Sequence, residues 1–147
     1  MLVRDVMTHH PARIHQDDHL QRAAELAALS MVSDLMVVDE DGRFVGVLSE
    51  GDILRALMPA ADEIDAEGGT VAEAFAVFDR RGERLRGRDV ATLVIRDPMV
   101  IRPDDHVAAA AAVLLDRMIR RLPVVEDGKL VGTVSRADIL RAAVGTL

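Results

Sequence analysis

What most constrains the fold of this sequence is that it contains the same pattern twice. Val3, Pro11, Ile14, the run Asp17-Asp18-His19, Ala23, Ala24, Met31, Leu35, Val37 and Val38 recur 87 positions later as Val90, Pro98, Ile101, Asp104-Asp105-His106, Ala110, Ala111, Met118, Leu122, Val124 and Val125. One residue is then lost in a loop. At an offset of 86, Gly42, Val45, Gly46, Ser49 and Asp52 to Ala56 return as Gly128, Val131, Gly132, Ser135 and Asp138 to Ala142. Two copies of so long a period exclude a solenoid and predict duplicated domains related by a pseudo-twofold axis.

Each copy predicts the order β-α-β-β-α. Residues 11 to 15 and 98 to 102 begin with proline and read as short extended pieces, since the residue before proline avoids helix. Asp18-His19-Leu20-Gln21 carries a capping-box signature with Asp18 as N-cap, and apolar residues at helical spacing then predict a helix from about 19 to 31. Its alanine-rich counterpart spans about 106 to 118, and Met31 and Met118 fall on the apolar faces. Asp41-Gly42 and Asp127-Gly128, each between apolar runs, predict hairpins joining strands 36–39 to 44–48 and 123–126 to 130–134. Ser49 and Ser135 open the closing helices. The boundaries are thus 1–58 and 90–147, with a linker over 59–89. Within it, Thr70-Val71-Ala72-Glu73 starts a short helix to Phe78 whose Val71, Phe75 and Phe78 share one face and are expected to fold onto the module. The linker is acidic first (Asp62, Glu63, Asp65, Glu67) and then basic (Arg80, Arg81, Arg84, Arg86, Arg88), a pattern of a solvated surface or a docking surface.

Composition narrows the function classes. With 18 basic and 25 acidic residues the net charge is −7, contrary to a general nucleic-acid binder, and three phenylalanines offer no base-stacking platform. The absence of cysteine removes disulfides and thiolate metal sites and favours a reducing compartment, and no apolar run reaches the length of a membrane span, so a cytoplasmic protein is expected. The five histidines lack metal-ligand spacing, and no local nucleophile-base arrangement or phosphate-gripping glycine loop is present, so neither a metal site nor an enzyme is expected.

One duplicated constellation carries chemistry. Ser49-x-x-Asp52 and Ser135-x-x-Asp138 place a carboxylate, able to accept from both hydroxyls of a cis-diol, at a helix N-terminus that favours an anion. Gly46 and Gly132 leave room for a ligand to approach the preceding strand. The same Ser-x-x-Asp is equally a capping box, and repetition does not separate the two readings, because duplication copies caps too.

Val3-Arg4-Asp5-Val6-Met7-Thr8, Leu35-Met36-Val37-Val38-Asp39 and Gly46-Val47-Leu48-Ser49-Glu50-Gly51-Asp52-Ile53-Leu54, with Arg121-Leu122-Pro123-Val124-Val125-Glu126 and Gly132-Thr133-Val134-Ser135-Arg136-Ala137-Asp138-Ile139-Leu140, together resemble the cystathionine-β-synthase (CBS) domain family, twice over nearly the whole chain outside the linker. The resemblance implies a stand-alone α/β (α+β) pair of CBS motifs, a Bateman module with two clefts, often dimerised into a flat disc. It implies an energy-sensing or related regulatory protein that binds AMP, ADP, ATP, S-adenosylmethionine or NAD and gates an unknown partner. Ser49 and Asp52, and Ser135 and Asp138, would then hold phosphate and ribose, with Ile14, Met36 and Val37 lining one base slot and Ile101, Pro123 and Val124 the other. Position 36 is methionine where the family favours proline, and Thr92-Leu93-Val94 replaces the family's Asp-x-Met. Arg136 beside Ser135, with Arg120 and Arg121 nearby, against Glu50 beside Ser49, leads to the expectation that phosphate prefers the second cleft. The alanine-rich helices lead to the expectation of a homodimer. The other reading is a dimeric interaction protein with degenerate clefts.

Overall fold

A computed structural model describes residues 1–66 and 68–145 of the chain; Glu67, one of the expected acidic linker residues, and positions 146 and 147 at the end of the second repeat lie outside the described residues. In the first repeat, β1 (Arg13–His15), α1 (Leu20–Ser30), β2 (Asp34–Val38), β3 (Phe44–Ser49) and α2 (Glu50–Leu57) follow in the expected order. After two linker helices, α3 (Ala61–Ala66) and α4 (Val71–Arg86), the second repeat supplies α5 (Val107–Asp116), β4 (Arg121–Glu126), β5 (Lys129–Ser135) and α6 (Arg136–Val144). β2 lies between a parallel β1 and an antiparallel β3, whereas β4 and β5 form an antiparallel pair. The opening strand expected over 98–102 shrinks to one parallel bridge between Ile101 and Val124.

The hairpins follow from their turn residues. Asp127 and Gly128 both have positive φ, 51° and 77°, which is the backbone a tight right-twisted hairpin requires. The first hairpin has one more residue, and Asp39 holds it by accepting through Oδ1 from the backbone N–H groups of Asp41 and Arg43. The two hairpin tips meet, with Phe44 N–H donating to Gly128 O, over a small cluster of Met36, Val38 and Leu130.

Three local expectations are corrected. Helix α1 is capped by His19, not Asp18, whose carboxylate instead accepts from His15 N–H; in the second copy His106 is the cap and its Nδ1 accepts from Ala108 N–H. Met31 and Met118 are not core residues: each ends its helix in the left-handed region, at φ 52° and 54°, and points into solvent. The linker helix does start at Thr70, whose hydroxyl and Glu73 form the expected reciprocal cap, but it continues eight residues beyond Phe78 to Arg86. It buries Val77 rather than Val71 and Phe75, which remain 69% and 66% exposed. Gly82, 3.8 Å from Leu57 by its virtual Cβ, is where α4 crosses α2, and Arg81 fastens the crossing by donating to Ala56 O and Met58 O and pairing with Glu63.

The cores do not follow the sequence halves. Val3 and Val6 are buried with Ile101, Ala110, Leu114, Leu122, Val124 and Val134 of the second repeat, whereas Val90 is buried with Ile14, Leu20, Ala23, Leu35, Val37 and Leu48 of the first. The opening segments are exchanged. Thr8 pairs with Thr133 on β5 through two backbone hydrogen bonds of 2.8 and 3.0 Å, and Ile95 pairs with Val47 on β3 through bonds of 2.9 and 3.1 Å. Each repeat is therefore completed by the other, and the halves cannot separate without opening both cores.

Candidate functional site

The exchange builds the site. Where Ile95 runs antiparallel to Val47, the following residues Pro98 and Met99 form one wall beside the end of β3 and the start of α2. The opposite wall comes from the second repeat's α5–β4 junction, Arg117, Ile119, Arg121 and Pro123. Between them lies a cleft of about 350 Å³ whose apolar surface is Val47, Ile95, Pro98, Met99, Ile119 and Pro123, and whose polar groups are Asp34, Ser49, Asp52, Arg55, Arg117 and Arg121. Mostly apolar walls with a few convergent polar groups suit a small ligand with an apolar ring and a charged end. A second hollow of about 320 Å³ adjoins it, sharing Asp34, Ser49 and Arg55 and adding Glu50 and Arg120.

Ser49 caps α2: its hydroxyl accepts from Asp52 N–H at 3.1 Å and donates to Asp52 Oδ2 at 2.6 Å. Arg55 bonds the other carboxylate oxygen from one turn on. Partial burial pushes the Asp52 carboxyl up, but the bonds from Ser49 and Arg55 outweigh it and hold it below the ordinary range, so Asp52 is an ionised acceptor at neutral pH. Asp34 behaves oppositely: burial raises it, and the Ser33 hydroxyl and the positive charges of Arg120 and Arg121 do not compensate. Ser135 and Asp138 make the full reciprocal cap, with Asp138 Oδ2 accepting from both Ser135 N–H and its hydroxyl at 2.8 Å. The capping reading of Ser-x-x-Asp is thus realised in both copies, without consuming every lone pair of either carboxylate.

The other expected site residues are distributed differently. Pro123 and Arg121 of the second repeat line the cleft of the first repeat's Ser49 and Asp52, because that cleft lies between repeats. Arg121 also donates to Thr133 Oγ1 at 3.1 Å. Ile14, Val37, Ile101 and Val124 are sealed in the two repeat cores, and Met36 is in the cluster between the sheets. Gly46 and Gly132 are needed for a close approach, but by protein: a Cβ on Gly46 would lie 2.2 Å from Ile95 O, and one on Gly132 would lie 2.8 Å from Thr8 O. Arg136 turns onto α5 and donates to Leu114 O at 2.9 Å, and Glu50 lines the adjoining hollow rather than the cleft. The two flanking charges behind the expected phosphate preference thus lie against the end of α5 and in the adjoining hollow. Ile95, Pro98, Met99, Arg117 and Ile119 were not anticipated as lining; Arg55 and Val47 recur or neighbour recurring residues and could have been taken from the repeat.

Among the described residues no helix is long and apolar enough to cross a membrane, and no group of three or more metal-ligating side chains converges. The family model of the CBS domain matches residues 3–59 and 88–145. The chain is 28% identical over 158 residues to the uncharacterized protein MJ1426 of Methanocaldococcus jannaschii, covering 98% of this chain and 92% of that protein. It is 33% identical over 135 residues to the chloroplastic CBS domain-containing protein CBSX1 of Arabidopsis thaliana, covering 84% of this chain and 55% of that protein, so it spans about half the length of that relative. Its fold is similar to the crystal structure of CBSX2 in complex with AMP, at a TM-score of 0.73 and 30% identity over 97% of this chain and 95% of that one. Two family matches, in register with the duplication and joined by reciprocal exchange of their opening segments, place this chain in the CBS domain family as a CBS pair.

Proposed function

We propose that the chain is a regulatory module, not an enzyme, that binds an adenosine-type nucleotide in the cleft of Ser49 and Asp52. The observation that carries this is the composition of that cleft: an apolar slot for the base, an ionised Asp52 to accept from the ribose hydroxyls, and three arginines for phosphate. The AMP complex of the similar CBSX2 supports the ligand class. Because the cleft is walled by both repeats, a bound nucleotide bridges them and changes how they pack, and a partner protein reads that change. Leu115, Leu140 and Val144, exposed on the second repeat's helices, with Met118 just beyond the end of α5, support assembly into a homodimer. The test is the thermal melting of the chain with AMP, ADP, ATP, NAD and S-adenosylmethionine, since a ligand bound only by the native state raises its melting temperature.

A second reading, an interaction protein of this fold with degenerate clefts, is favoured by one feature: both serine-aspartate pairs are engaged as helix caps. It predicts no melting shift with any of these ligands.

A further inference from the structure

The three guanidinium groups of the cleft are not equivalent. Arg55 is paired with Asp52, and Arg121 donates to Thr133. Arg117 uses only its backbone, closing α5 through N–H donation to Leu115 O and Val113 O; its exposed side chain has no hydrogen-bond or ion-pair partner among the described residues. It also breaks the internal symmetry. At the offset of 87 its equivalent is Ser30, whereas Arg55 is matched by Arg141, and Asp34 and Arg121 are matched to each other. By this equivalence the second cleft sets two arginines against two aspartates, while the first sets three arginines against two, Asp34 and Asp52. The positive surplus of the first cleft, in a chain of net charge −7, comes from Arg117 alone.

Resting on the nucleotide reading above, we propose that Arg117 is the specificity-determining residue of this cleft: it grips the ligand's phosphate and selects phosphorylated adenosine over adenosine and over S-adenosylmethionine. The chemistry is direct. A free guanidinium gives a phosphate two parallel charge-assisted hydrogen bonds and breaks no existing contact to do so. Adenosine has no group to receive them, and S-adenosylmethionine, whose sulfonium and ammonium outnumber its one carboxylate, brings net positive charge into a site already carrying an excess of it. The arginine lies at the α5–β4 junction of the second repeat, whereas Asp52 belongs to the first, so its grip on phosphate also ties the two repeats together.

The test is calorimetric titration of adenosine, AMP and S-adenosylmethionine into the full chain and into Arg117→Ser, which installs the residue of the other repeat. The wild type should bind AMP more tightly than adenosine, with S-adenosylmethionine weaker than AMP. Arg117→Ser should weaken AMP by about tenfold or more, the loss of a charge-assisted hydrogen bond, and leave adenosine unchanged. Raising salt should narrow the wild-type gap between AMP and adenosine and leave the variant's nearly constant. Equal loss of AMP and adenosine in the variant, undiminished AMP affinity, or S-adenosylmethionine binding the wild type as well as AMP does, would each overturn the assignment while leaving the cleft a nucleoside site. A wild type that binds neither adenosine nor AMP would overturn the nucleotide reading and this inference together.

Discussion

Gly46→Ala tests the exchange of opening segments, on which both the fold and the cleft depend. The added Cβ would lie 2.2 Å from Ile95 O and 2.6 Å from Val94 Cγ1, and the first of these is backbone that cannot rotate away. Relief requires that the segment lift from β3, at an overpacking cost of about 1 to 3 kcal/mol. Lifting also breaks the bonds from Val47 N–H to Ile95 O at 3.1 Å and from Ile95 N–H to Val47 O at 2.9 Å, each contributing about 0.5 to 1.5 kcal/mol. The sum, about 2 to 6 kcal/mol, corresponds to a drop in melting temperature of roughly 5 to 20 °C for a chain of this size. Circular-dichroism melts give the value, and Gly87→Ala is the control: nothing lies within 4 Å of its virtual Cβ and its φ of −90° is open to alanine. Because Ile95, Pro98 and Met99 form a wall of the cleft, the same variant should weaken nucleotide binding even well below its melting point. A Gly46→Ala protein that melts within about 2 °C of the Gly87→Ala control would refute the packing of 94–95 against β3.

Three further outcomes follow from the geometry. Phe75→Ala should change stability by less than about 0.5 kcal/mol because the ring is exposed, whereas Val77→Ala should cost about 1 to 3 kcal/mol, both measured by urea denaturation. Asp34 has a higher pKa folded than unfolded, so its ionisation opposes folding above its folded pKa and not below the ordinary value of 3.8; Asp34→Asn should raise the melting temperature at pH 7 and lose that advantage on acidification toward pH 3.8. Asp52 has the opposite sign. Its contribution is present above the ordinary carboxylate range and is lost as pH falls through its lowered folded pKa, so Asp52→Asn should lower the melting temperature at pH 7.

Much of the fold is legible because its signals are local. The Asp-Gly hairpins, the serine caps and the Thr70 cap are set by residues within four positions of one another, and the structure forms all of them. The length of α4 is not legible from the Val71, Phe75 and Phe78 spacing, because its continuation to Arg86 depends on packing at a distance, where Gly82 lets α4 cross Leu57. The membership of the cleft is not local. A sequence read in order assigns Pro123 and Arg121 to the cleft of their own repeat and the space above Gly46 to a ligand; the exchanged segment around Ile95 sits against Gly46, and the first repeat's Asp52 faces the second repeat's arginines. Nothing in either copy alone encodes that crossing, which joins residues far apart in the chain. The direction of a side chain is equally hidden: Arg136 follows Ser135 in sequence but bonds the end of α5.

If an adenosine phosphate binds the cleft of Ser49 and Asp52, walled by both repeats, the two serine-aspartate pairs must contribute unequally to its affinity. Calorimetric titration of AMP into Asp52→Ala and Asp138→Ala tests it most directly, because both substitutions remove the same N3 carboxylate from equivalent helix starts. Asp52→Ala should abolish most AMP binding while Asp138→Ala retains it; loss of binding in Asp138→Ala with Asp52→Ala unaffected would refute the assignment of AMP to this cleft.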